Sequence, residues 1–124
     1  MKKFLMLAVI LGLSLSAYCQ PSVFDVYHVV IIDKKTEKIV SSTEVDYKMN
    51  INKATITFEN KASTTYIADK YTQQEFKDKD RNYSQWKAVD EENISCVVTM
   101  SYYFKGIKSI SVSYSDLFIV YYFR

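Results

Sequence analysis

In the closing block from Trp86 to Arg124 two stretches keep a period of two. Ile94, Cys96, Val98, Met100, Tyr102 and Phe104 alternate with Ser95, Thr99 and Ser101, and Ile110, Val112 and Tyr114 alternate with Ser109, Ser111 and Ser113. A helix would bring apolar residues round every three or four positions; a period of two puts them all on one face of an extended strand. The block therefore reads as three consecutive antiparallel strands that are half-buried, with the apolar row facing inward.

The same pattern extends upstream. Val23 to Ile32 is rich in β-branched and aromatic residues and reads as a central strand. The polar turn Asp33 to Glu37 leads into a second strand, Lys38 to Ser42. Ser42-Thr43-Glu44 loosens the chain, and a third strand follows from Val45 to Ile51 with Asp46, Lys48 and Asn50 on its wet face. Asn52-Lys53 turns into a fourth strand around Ile56 and Phe58, and Ser63 to Lys70 supplies a fifth. From Tyr71 to Asn82 alternating charges replace the periodicity, which reads as a long exposed loop with room for one helical turn. Tyr83 to Val89, carrying Trp86, opens the closing block. Gly106 suits the tight hairpin after Phe104 because it tolerates positive φ.

The fold class is all-β: a single antiparallel meander of eight or nine short strands, either an up-and-down barrel of the lipocalin-like kind or a two-sheet sandwich. Two glycines and one proline leave little material for kinks and bulges, which favours simple hairpins.

The first residues serve an address. Lys2 and Lys3 precede an apolar run from Phe4 to Leu13, and Ser16, Ala17 and Cys19 are small residues near a cleavage point. Residues 1–19 read as a signal peptide and 20–124 as one β domain, exported to the periplasm or beyond the cell. The alternatives are a lipid anchor on Cys19, which Tyr18 disfavours, or cleavage after Ala17, which would leave Cys19 able to pair with Cys96. Sixteen basic residues less Lys2 and Lys3 leave 14 against 14 acidic ones. That neutrality argues against a nucleic-acid partner, and no membrane span is expected after cleavage.

Catalytic chemistry has little to build on. His28 is the single histidine; it shares a sequence face with Val26, Val30 and Ile32 and reads as a core or rim residue. Cys96, between Ile94 and Val98, reads as packing, since a thiol in apolar surroundings stays protonated. Asp90, Glu91, Glu92 and Asp116 fall at turns, where carboxylates hydrogen-bond nearby backbone, and their spacing lacks the pattern of a calcium loop. Asn82-Tyr83-Ser84 and Asn93-Ile94-Ser95 match the glycosylation acceptor pattern by chance if the chain is bacterial. No enzyme activity, metal or cofactor is expected.

Eleven tyrosines, seven phenylalanines and one tryptophan form the remaining signal. If Tyr102, Phe104, Tyr114, Phe118 and Tyr122 face inward, Tyr103, Tyr121 and Phe123 point outward, where bare aromatics would form a patch able to stack on sugar rings or dock a protein; the plainer reading, and the favoured one, is that both faces of the terminal strand are covered, as in a sandwich or a barrel with a packed neighbour. The leading functional expectation is a non-enzymatic secreted or periplasmic module that binds a protein or glycan through that patch or the Tyr71–Asn82 segment. The alternative is a carrier holding a small ligand in an internal barrel cavity.

The block SQWKAVDEENISCVVTM and the ending SISVSYSDLFIVYYF resemble uncharacterised small secreted proteins of Bacteroidota-type bacteria and their phages. The resemblance rests on a Trp-x-Ala-x-Asp strand (Trp86, Ala88, Asp90), a later cysteine strand, and a Tyr-x-Asp turn (Tyr114, Asp116). It covers the final forty residues and implies an exported all-β domain, with no activity attached.

Overall fold

The computed structural model describes residues 22–61 and 63–124. The signal peptide, its cleavage point and Cys19 lie outside the described residues. Among those described, eight strands follow one another: β1 Ser22–Asp33, β2 Lys38–Asn52, β3 Thr55–Phe58, β4 Thr64–Lys77, β5 Arg81–Asp90, β6 Ser95–Tyr103, β7 Lys108–Ser113 and β8 Leu117–Phe123. Each pairs antiparallel with the next, and β8 pairs back onto β1, so the meander closes into a barrel rather than splitting into a sandwich. Closure removes the two outer edges of the sheet, but β3 is only four residues long and pairs with Met49–Asn52 of β2 and Thr64–Ile67 of β4, so the remainder of those two long strands has no ladder partner on that side.

Aspartates begin three of the turns. Oδ1 of Asp33 accepts from the backbone N–H of Lys35 and Thr36, Oδ1 of Asp78 from Asp80 and Arg81, and Oδ1 of Asp90 from Glu92 and Ile94. A short carboxylate side chain reaches its own backbone two to four residues on and folds the chain back. Glu37, Lys53, Asn93 and Gly106 complete the reversals at positive φ.

The inner face carries the expected alternation. Cys96, Val98 and Met100 of β6 and Ile110 and Val112 of β7 are buried, and Tyr102 and Tyr114 pack against the same core. Trp86, Tyr66, Phe58, Met49 and Ile51 fill the interior from the other strands. Phe58 stacks on Tyr121 with centroids 3.8 Å apart and meets Tyr66 edge-on at 6.0 Å. Ile94 and Phe104, the two ends of the predicted β6 row, are exposed because they belong to the flanking turns.

Three segments depart from the sequence reading. The second and third expected strands are one 15-residue strand, since the 12-residue β1 pairs along nearly all of it and two register shifts take up the excess. One shift sets Val45 and Asp46 against Tyr27 alone, so Val26 points inward while His28, Val30 and Ile32 point outward. His28 thus leaves the face it shares with Val26 in the sequence. The expected loop Tyr71–Asn82 is mostly strand: Gln74 to Lys77 pair with Gln85 to Asn82. Its periodicity is masked by a wide bulge in which Lys70 to Gln73 oppose only Trp86. Bulges formed here without glycine, by the side-chain bonds of Thr72 and Gln73 described next.

Candidate binding face

The β4 bulge is braced from within. Thr72 Oγ1 donates to the Asp69 carbonyl at 2.7 Å and accepts the Lys87 N–H at 2.8 Å, and Gln73 Oε1 accepts Trp86 Nε1–H at 3.2 Å. These bonds hold the arc off the barrel, with Tyr71 at its crest 88% exposed. A cleft of about 340 Å³ lies under it, between Gln73, Gln74 and Gln85.

Further along the same strands an aromatic and arginine cluster forms. Arg81 opens β5, and its register partner Tyr103 ends β6. The Arg81 guanidinium lies 3.9 Å from the Tyr83 ring centroid and 5.7 Å from that of Tyr103. Its Nη1 donates to Ser101 Oγ at 2.7 Å, and its Nε sits 3.7 Å from Asp78 Oδ2. Phe76, opposite Tyr83 on β4, stacks on it at 5.1 Å. A small serine beneath the guanidinium lets the arginine lie flat on the sheet, and planarity lets it stack while donating. The turns at this rim join where Phe104 N–H donates to the Asp80 carbonyl at 3.0 Å. Exposed Phe104 and Ile107 therefore extend the cluster.

Of the three predicted patch residues, Tyr103 is half-exposed within this cluster, whereas Tyr121 and Phe123 are 5% and 2% exposed and face the barrel interior. The reason is register. β8 is apolar on both faces, so its own sequence does not say which face is inside; pairing of Tyr121 with inward Ile110 and inward Val29 decides it. Phe118, Val120 and Tyr122 consequently lie outside, where Tyr122 comes within 6.5 Å of Tyr27 and 6.3 Å of His28. Burial, with Tyr103 and Tyr27 alongside, raises the Tyr122 phenol above its ordinary pKa.

His28 Nε2 is hydrogen-bonded to Ser42 Oγ at 2.8 Å. Burial pushes the Cys96 thiol up to about 11, with Asp90 adding to the effect, which favours the protonated thiol at neutral pH. Asp90 accepts from the Tyr114 hydroxyl at 2.8 Å as well as from its own turn, and those bonds hold its carboxyl below the ordinary range. Tyr66, Tyr114 and Tyr121 run from the core toward it, each phenol raised chiefly by burial. Among the described residues no group of three His, Cys, Asp or Glu side chains is placed to hold a metal ion.

The outer face also carries charge. Glu44, Asp46, Lys48 and Asp69 are exposed there, with Lys48 paired to Asp25, while apolar chains fill the interior. Lipid-facing barrels show the reverse arrangement. Among the described residues no helix is long and apolar enough to cross a membrane.

No family model matches the chain, and neither the curated proteins nor the solved structures hold a match to it.

Proposed function

We propose that the chain is an exported, non-enzymatic binding module that docks a protein partner on the outer face of β4 to β6, centred on Arg81, Tyr83 and Tyr103. One observation carries this reading: an arginine stacked between two tyrosines, on a rim that also exposes Phe76, Phe104 and Ile107. Tyrosine and arginine dominate the energetics of protein interfaces because each combines apolar area with directed hydrogen bonds.

A glycan fits this cluster less well. Sugar stacking needs a free ring face, and the Tyr83 ring is already stacked by Phe76 and covered by Arg81. The alternative carrier role calls for interior volume, and the Phe58, Tyr66 and Tyr121 rings fill the middle of the barrel.

The test is site-specific photo-crosslinking from position 104 in the exported fraction of the source cells, comparing the native chain with an Arg81→Ala/Tyr103→Ala variant. The reading expects a discrete protein adduct that the double variant loses while its circular dichroism is unchanged. An adduct indifferent to the substitutions, or selective retention on a glycan array that they abolish, would replace it.

A further inference from the structure

Beyond the rim cluster, a trough of about 730 Å³ runs across strands β4 to β7 rather than along them. Its floor lies where Ala68, Ala88 and Cys96 pair in one cross-strand row with their side chains buried inward, leaving backbone uppermost. One wall is the neighbouring row Ile67, Val89 and Ser95. The other is Asp69, Lys87 and Val97. Positions i−1 and i+1 of a strand stand about 7 Å apart, and four strands span about 14 Å, so the trough is narrow and straight.

Its apolar lining is open to water: Ile67 is 54% exposed. At the β7 end Lys34 closes it, its Nζ donating to Ser113 Oγ at 2.9 Å and to the Tyr114 carbonyl at 2.6 Å. Both acceptors are neutral, so they fix the ammonium in place without compensating its charge, and a third N–H is left to donate. Among the described residues the ion pairs are Lys48–Asp25 and Arg81–Asp78, and Lys34 belongs to neither.

We propose that this trough binds an amphiphilic carboxylate of the fatty-acid class, with its alkyl chain lying between the walls and its carboxylate on Lys34 Nζ. A peptide strand is the poorer occupant, because the floor's N–H and C=O groups are already spent in the β4–β7 ladders, and a peptide backbone laid there would lose water without gaining partners. An alkyl chain has no such groups to satisfy, and the fixed uncompensated ammonium selects an anionic head over a neutral or cationic one.

The experiment is calorimetric titration of the protein with sodium decanoate below its micelle concentration, with 1-decanol and decyl phosphate as comparison probes, alongside amide chemical-shift mapping. The expected result is one decanoate per chain, decanol about tenfold weaker or worse, and a loss of about tenfold for Lys34→Met that Lys34→Arg restores. Shifts should centre on Ile67 and Val97, and Arg81→Ala should leave the affinity unchanged, which separates this site from the proposed partner face. Absence of saturable binding, equal affinity for decanol, tighter binding of decyl phosphate, indifference to Lys34→Met, or shifts centred on Phe58 and Tyr121 would each overturn it.

Discussion

Tyr121 and Tyr122 are chemically identical neighbours on opposite faces of one strand, and truncating each to alanine measures the register of β8 directly. Tyr121 is 5% exposed and stacked on Phe58 at 3.8 Å. A buried tyrosine removes about 150–250 Å² from water, which at about 25 cal/mol/Å² amounts to roughly 4–6 kcal/mol. Direct experience with large aromatic truncations in cores is about 3–5 kcal/mol, and the lower range is the safer expectation because the unfolded chain is not fully extended. Tyr122 packs loosely on Tyr27 and His28 at 6.5 and 6.3 Å on the outside, so its loss should cost about 1 kcal/mol. Against a total stability of about 5–15 kcal/mol, Tyr121→Ala removes a large fraction and Tyr122→Ala a small one. Urea unfolding followed by Trp86 fluorescence reads both from the shift in midpoint at constant slope. Equal losses, or a larger loss for Tyr122→Ala, would refute the assignment of Tyr121 to the core.

Asp90 carries a pH dependence whose sign follows from its bonds. Its folded pKa is depressed below 3.8 by the Ile94 and Glu92 N–H groups and the Tyr114 hydroxyl, so its contribution is complete above that value and is lost as pH falls through the folded pKa. Asp90→Asn should therefore flatten the acid limb of a stability profile below about pH 4, followed by urea midpoints at each pH. Cys96, raised to about 11 and buried, should react with a disulfide reagent at neutral pH only as fast as the barrel opens, and at the rate of a free thiol in denaturant. Gly106 sits at φ +94 with open space around it, so Gly106→Ala meets no clash and should cost about 1 kcal/mol from backbone strain alone, measured as a midpoint shift.

Where the alternation joined apolar to small polar residues, as in β6 and β7, the sequence named the inward side chains from Cys96 to Val112 correctly. Where both faces are apolar, as in β8, the period of two survives but its phase is lost, so the segment alone is compatible with Tyr121 and Phe123 as an outward patch or, as found, buried. Phase there is a property of the partner strands, not of the segment. β4 shows the converse: its pairing is regular on either side of Lys70 to Gln73, but four unpaired residues break any count made along the chain. Tyr103 was legible as outward, since β6 alternates cleanly. Its association with Arg81 and Phe76 was not, because these residues come from separate strands and meet only through cross-strand register.

The arc from Lys70 to Gln73 has an implication for how such a chain can change over time. Asp69 opposite Lys87 and Gln74 opposite Gln85 fix the ladder on either side, so residues added to or removed from the crest shift no other pair in the barrel. Lengthening a loop is cheap, with each doubling costing only about 0.6 kcal/mol. A protruding segment anchored at both ends to a paired frame is adjustable in length and content: it can be rewritten while the frame around it stays the same.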